Sequence, residues 1–279
     1  MKKYLLLLLF PVSVLAQDDL LNEIDTVSTE KSKVESAFKG LKIVNLESTK
    51  LAAKGDLYFI VAHRFGSIKD GFEGFYGLDN ANTQIKFVYG LTNWFTVSGA
   101  RSELAYDFSG KFLIKNQERG GFPVAIAGFG SLAINNTLKE SLYPKMTFEN
   151  RLIYVSQILI SRKFSQNLSL EVVPTFFHEN FVLDDNQENS QLAVGLGGRY
   201  KFAKRWSLNI DYAAHLNRAS NSVYKNPLSV GLDIETGGHI FQLLFTNSQS
   251  MTESGYLTNA AGDWGKGDIF FGFNLYRVF

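Results

Sequence analysis

Gln191-Leu192-Ala193-Val194-Gly195-Leu196-Gly197-Gly198-Arg199-Tyr200-Lys201-Phe202, a break at Ala203-Lys204-Arg205, then Trp206-Ser207-Leu208-Asn209-Ile210-Asp211-Tyr212-Ala213-Ala214-His215-Leu216-Asn217: this stretch decides the fold. Large apolar side chains occupy every second position, from Leu192, Val194 and Leu196 through Trp206, Leu208, Ile210 and Tyr212. Leu228, Val230, Leu232 and Ile234 then alternate with Ser229, Gly231, Asp233 and Glu235. A period of two is the signature of strands. A soluble sandwich alternates too, so the character of the two faces has to separate it from a membrane barrel. Here the apolar face is large, with Tyr200, Phe202 and Trp206 at segment ends, while the other face is small and polar, with Gly, Ala, Ser and Asn between charges. That combination fits lipid outside and a polar lumen inside. In lipid every backbone group must be paired, so the spanning sheet has to close on itself.

Working outward, the pattern predicts twelve spans, at 56–66, 82–91, 94–105, 108–117, 122–135, 150–164, 168–181, 190–203, 206–217, 226–236, 239–250 and 268–279. The fold class is therefore all-β, a transmembrane antiparallel β-barrel of about twelve strands. Short turns, such as Ala203 to Arg205 and Thr236-Gly237-Gly238, alternate with long polar loops such as Asn136 to Asn150 and Gln249 to Gly267. Outer-membrane barrels carry short turns in the periplasm and long loops outside. The connection near Tyr106-Asp107 is short where a long loop is expected. In the last span Ile269, Phe271, Phe273, Leu275 and the terminal Phe279 share one face. This aromatic ending resembles the signal read by barrel-assembly machinery, the expected partner besides outer-membrane lipid. Arg277 interrupts that face only near the rim, where a long side chain snorkels.

Lys2 and Lys3, the apolar run from Tyr4 to Leu9 and the small residues of Val14-Leu15-Ala16 read as a signal peptide over 1–16, cleaved before Gln17. Its apolar stretch of about 13 residues is short of the ~20 needed to span a bilayer. Residues 17–54 are expected to be a periplasmic N-terminal segment, ending in an extra strand or an addition to the first hairpin, and 55–279 the barrel. The alternative is that part of 17–54 folds inward as a plug, for which the segment looks short.

Composition excludes several functions. The 279 residues contain no Cys, which removes disulfides, thiolate zinc sites and a cysteine nucleophile. With 28 Lys+Arg against 27 Asp+Glu there is no basic footprint for nucleic acid. His63, His178, His215 and His239 lie on separate spans without metal-ligand spacing, so no metal or other cofactor is expected. No GxSxG elbow, Walker loop or Rossmann fingerprint occurs. His178 with Ser169 or Ser156 is the candidate pair for a lipid-modifying hydrolase.

Lys54-Gly55-Asp56-Leu57-Tyr58-Phe59, His63-Arg64-Phe65-Gly66 and Phe75-Tyr76-Gly77-Leu78-Asp79-Asn80-Ala81 form a distinctive set, with Tyr89-Gly90-Leu91-Thr92 and Arg101-Ser102-Glu103. Together they resemble a Bacteroidota family of β-barrels of unassigned activity, the likeness being strongest over residues 40–120. The resemblance implies an outer-membrane barrel in a Gram-negative cell and carries over no catalytic residue.

On the lumen side the phase places Lys111, Lys115, Glu171, Glu179, Arg199, Lys201, Asp211, His215, Asp233 and Glu235, with Lys86 and Arg64 beside them. Basic residues dominate the second, fourth and eighth spans, and acidic ones the seventh, ninth and tenth. A transverse field of this kind would orient small polar or ionic solutes at a constriction; the plainer reading is that a polar lumen carries charges of both signs for hydration and interior pairing. The expected function is thus a narrow channel for such solutes rather than an enzyme. A closed structural or partner-binding barrel is the alternative, and a lipid-modifying enzyme the third reading. Phe72, Phe75, Tyr76, Tyr256 and Trp264 in the long loops are candidates for recognition at the mouth or for the aromatic girdle.

Overall fold

Alternating residues pair side by side until the sheet closes. The structure, a computed structural model, describes residues 32–139 and 141–279; the expected signal peptide and residues 17–31 lie outside the described residues. Twelve antiparallel strands form the wall: β1 (Leu57–Ser67), β2 (Ala81–Thr92), β3 (Phe95–Ser102), β4 (Ala105–Lys115), β5 (Ala125–Asn135), β6 (Leu152–Lys163), β7 (Leu168–Glu179), β8 (Ser190–Ala203), β9 (Trp206–His215), β10 (Leu228–Thr236), β11 (His239–Thr246) and β12 (Phe270–Val278). Each pairs with its neighbours in sequence, and β12 closes the barrel on β1 through pairs such as Phe273 with His63 and Tyr276 with Ile60. Closure leaves no unpaired edge.

The two ends differ. Apart from residues 116–124 between β4 and β5, the turn end holds tight connections: Lys204-Arg205 joins β8 to β9, and Gly237-Gly238 joins β10 to β11, with Gly237 at φ 45°, a left-handed value that favours glycine. The loop end holds long connections, apart from Glu103-Leu104 between β3 and β4. Tyr106 and Asp107, placed by the sequence in that connection, are inside β4.

Large apolar side chains, including Phe87, Phe108, Ile158, Leu196, Ile210 and Phe245, cover the outer face and are exposed. Phe271, Phe273 and Leu275 of β12 lie on that face too, and the Arg277 guanidinium stacks 4.5 Å from the Phe279 ring.

The interior is filled rather than an open polar lumen. Ser32–Lys33 pairs with Glu118–Arg119 as a two-residue ladder at the turn end rather than adding a strand to the barrel. Residues 34–53 then run into the lumen, turn back in its middle and return to the turn end to enter β1. The expectation of a purely periplasmic segment over 17–54 is corrected for these residues. Phe38, Ile43, Val44 and Leu46 are all buried inside the barrel, and burying each such side chain stabilises by ~1.5–3 kcal/mol. The wall makes room for them. A Cβ at Gly195 would lie 2.7 Å from Leu46, and one at Gly197 would collide with Ile43.

From the loop end the connection between β11 and β12 also dips inward. It carries a short helix, α1 (Glu253–Thr258), capped by Thr252, whose Oγ1 accepts from the Gly255 N–H. Tyr256 and Leu257 of α1 join Leu46 of the hairpin and the wall residues Val155, Phe177, Ala193 and Ala213 in one apolar cluster. Tyr256 therefore belongs to the filled interior and not to an exposed aromatic mouth.

Candidate functional site: the occluded lumen

Asp211, on β9, sits where the two inserted segments meet. Its Oδ2 accepts from three successive backbone N–H groups, those of Val44 (3.0 Å), Asn45 (2.7 Å) and Leu46 (2.9 Å). Its Oδ1 accepts from the Tyr256 hydroxyl at 2.8 Å. Three consecutive N–H groups turned onto one oxygen form an anion nest, built here to hold a wall carboxylate. The hairpin bend thus closes around Asp211, and α1 docks on the other side of the same group.

Glu47, carried by the hairpin, makes the second lock. Its carboxylate lies 2.7 Å from Lys111 Nζ, 3.3 Å from Lys86 Nζ and 3.5 Å from Lys42 Nζ. Burial alone would raise its pKa, but Lys111, Lys86 and Lys42 together hold the carboxyl well below the usual carboxylate range. Lys111 also donates to the carbonyls of Leu41, Ser48 and Lys50, at 3.0, 2.8 and 3.2 Å. Lys42 reaches across to Glu253 of α1. Burial raises the Glu253 carboxyl to about 7, against the pull of Lys42.

Other wall groups take up the remaining hairpin backbone and side chains. Glu171 Oε2 accepts from Thr49 N–H at 3.0 Å, Gln242 Nε2 donates to the Ile43 carbonyl at 2.7 Å, and Asn274 Nδ2 to the Val44 carbonyl at 3.2 Å. Arg64 donates to Asn45 Oδ1 at 2.9 Å and Asn274 Oδ1 at 3.0 Å.

The charges foreseen for the lumen wall are mostly inward but not arranged as a field across water. Lys111, Glu171 and Asp211 grip the hairpin. Arg199 pairs with Glu235, and Asp233 accepts from Gln242 at 2.6 Å. Glu179 and His215 face a recess at the loop end, and Lys201 one at the turn end. Lys115 is a correction. The register shifts between Leu113 and Lys115, so Lys115 pairs with Ile126 on the outer face, stays exposed and bridges to Glu118 at 3.1 Å. Of the two candidate hydrolytic pairs, His178 with Ser169 is also corrected. Ser169 is buried on the inner face, while His178 lies on the outer face at the far end of the same strand and binds Ser190 Oγ at 2.9 Å. Ser156 is on the outer face opposite Phe176, two positions from the Tyr154–His178 pair.

Several spaces remain, among them one of about 580 Å³ at the turn end with mixed charge, lined by Lys33, Glu35, Lys50 and Asp56. An internal cavity of about 40 Å³, lined by Glu47, Lys86, Lys111, Arg64 and Tyr276 among others, has room for a few waters. A recess of about 990 Å³ at the turn end is lined by Lys33, Lys39, Arg119, Arg162, Lys163, Arg199 and Lys201 against Glu35 and Glu118. A recess of about 670 Å³ at the loop end is lined by Glu179, Asp184 and Asp185 with Arg218 as its one Lys or Arg. The turn-end mouth is thus basic and the loop-end mouth acidic.

Residues 38–279 match the family described as "Membrane bound beta barrel domain (DUF5777)". Among curated proteins none matches the chain. Among solved structures, the KdgM porin in complex with disordered oligogalacturonate aligns with a TM-score of 0.51 at 8% identity, over 80% of this chain and 99% of that one. The NanC porin aligns with a TM-score of 0.50 at 10% identity, over 80% of this chain and 98% of that one. At such identities the likeness is one of fold: a porin-like closed barrel.

Proposed function

Since the chain belongs to the DUF5777 family of membrane-bound β-barrel domains, we propose that it is an outer-membrane channel for small polar or ionic solutes, closed at rest by its own N-terminal hairpin. In this reading the turn end faces the periplasm and the loop end the exterior, as for outer-membrane barrels generally. One observation carries the reading: two wide recesses of opposite charge, about 990 and 670 Å³, open at the two ends and are separated by inserted segments rather than by the wall itself. A wall gap filled by a separate piece of chain reopens when that piece moves.

The second reading, a permanently closed barrel that acts by structure or by binding partners, is favoured by the density of the Glu47 and Asp211 contacts. A hydrolytic role has less support, because His178 and Ser169 face opposite sides of the wall.

The chain has no native Cys, so a redox lock can separate the two main readings. A Cβ built at Gly231 lies 3.1 Å from Val44 Cγ2, close enough for Val44→Cys and Gly231→Cys to bridge. Refolded into planar bilayers, the reduced double variant should give discrete conductance steps that vanish on oxidation. Silence in both states would favour the closed barrel. Steps that persist after oxidation would put the path elsewhere.

A further inference from the structure

Three inward residues on adjacent strands meet at the loop-end recess: Glu179 on β7, Gln191 on β8 and His215 on β9. The register fixes them together, since Gln191 pairs with Phe177 and His215 with Ala193. Gln191 is fully buried and donates from Nε2 to Glu179 Oε2 at 2.9 Å. A carboxylate accepts only, so this bond orients the amide and leaves Oε1 as the free end. That Oε1 is buried with no hydrogen-bond partner among the described residues. His215 is 8% exposed and packs on the Phe177 ring at 5.4 Å, and neither of its ring nitrogens has a partner either. Buried polar atoms left in this state are costly unless something pairs with them.

Apart from the one imidazole N–H, what they lack is donors. Glu179 and Gln191 Oε1 accept, and a neutral imidazole presents one accepting nitrogen. Asp184 and Asp185 add negative charge to the recess, so with Glu179 three carboxylates outweigh the single guanidinium of Arg218, whose N–H groups are taken up by the carbonyls of Leu257 (2.8 Å), Lys225 (3.1 Å) and Thr258 (3.3 Å). A primary ammonium carries three N–H donors and no acceptor. It would meet these three acceptors and the local charge at once. At the rim Leu183 and Val223 are 68% and 79% exposed, an apolar edge against which an alkyl chain can lie.

We infer that the loop-end recess is a binding site for a small primary alkylammonium ion, held by the Glu179 carboxylate, Gln191 Oε1 and a His215 ring nitrogen. The site does not depend on the lumen conducting, because it lies on one side of the occlusion.

The test uses the refolded full chain in detergent, titrated calorimetrically with butylammonium, tetramethylammonium and butyrate. Butylammonium should bind saturably at one site. Tetramethylammonium, with the same charge and no N–H, should bind about tenfold or more weakly, the scale of a lost charge-assisted hydrogen bond. Butyrate should not compete. Glu179→Gln, which keeps shape and removes charge, should weaken butylammonium by a similar factor, and His215→Phe, which keeps the packing on Phe177, should weaken it too. Absence of saturable butylammonium binding, equal binding of tetramethylammonium, or unchanged affinity in Glu179→Gln would overturn the assignment. The comparison of ligands on the unmodified chain decides the matter even where a variant does not fold.

Discussion

The two segments that fill the lumen are held in different ways. The hairpin of residues 34–53 is tied to many strands, through Glu47 to Lys86 and Lys111, through Thr49 to Glu171, and through its carbonyls to Gln242 and Asn274. Helix α1 is tied by Tyr256 to Asp211 and by Glu253 to Lys42, with Arg218 holding the carbonyls of Leu257 and Thr258. One of those ties, Lys42, belongs to the hairpin itself. The Lys42–Glu253 tie breaks whichever segment leaves, but the hairpin alone is also held by Glu47, Thr49 and its carbonyls. On the proposed channel reading, α1 with its fewer ties should move first, at the loop end, and the hairpin last.

Asp211 is a charged wall group that binds both segments, and its loss should erase the difference between them. Asp211→Ala orphans three backbone N–H groups and the Tyr256 hydroxyl. At ~1–3 kcal/mol per orphaned donor, docking should weaken by on the order of 5 kcal/mol. Hydrogen exchange is expected to show residues 43–47 and 253–258 losing protection together, with more frequent conductance steps. Protection that survives at 43–47 would mean the nest is incidental.

Glu47→Gln should separate the segments. It leaves Lys86 and Lys111 without their carboxylate while the Lys42–Glu253 pair stays intact. Breaking a buried pair from one side costs about 3 kcal/mol or more, so the hairpin should loosen well beyond α1 in the same exchange measurement. Adding Lys111→Met should recover part of the loss, because removing both charges is cheaper than stranding one. No recovery would show that the Lys111 bonds to the hairpin carbonyls matter more than its charge.

These locks explain which parts of the molecule could be read from the sequence. The wall was legible because its environment repeats every second residue: Leu192 to Phe202 and Trp206 to Tyr212 alternate just as β8 and β9 do. The inward phase of Lys111, Glu171 and Asp211 followed from that period, while Lys115 was lost because one bulge in β4 reverses the phase. The hairpin has no period, because its side chains meet the wall on more than one strand in no regular order. Ile43 faces Gly197, Val44 faces Gly231 and Leu46 faces Gly195. The signal lay in the wall, in inward glycines where a wide barrel otherwise needs bulk. Asp211 and Lys111 looked like channel charges because their partner is backbone from another segment, which no pattern within β4 or β9 records.

Packing gives a charge-free way to loosen the hairpin alone. Gly197→Ala places a methyl group against Ile43, and overpacking of this kind costs about 2 kcal/mol. The expected result is more frequent conductance steps with unchanged ion selectivity. Trimming the neighbour in Gly197→Ala with Ile43→Val should return the variant toward silence. If the pair is as active as the single variant, the strain lies in the wall and not at the hairpin contact.

The smallest effect is expected from pH, and it should act on the two segments in opposite senses. Burial raises the Glu253 carboxyl from its ordinary 4.5 to about 7 when α1 is docked. Docking stability from this group is therefore fully present below pH 4.5, is lost as pH rises toward 7, and changes no further above 7. Glu47 is held below its ordinary 4.5, so its contribution is full above that pH and is lost only in stronger acid. Between pH 4.5 and 7 only α1 should loosen. A spin label at Asn259→Cys, exposed at the end of α1, should grow more mobile across that interval, while one at Ser36→Cys on the hairpin should not change. Equal mobilisation of both labels would mean that the segments open as one body and that the inferred order is wrong. A loosening of Asn259 only in acid would mean that the Lys42 pairing, and not burial, governs Glu253.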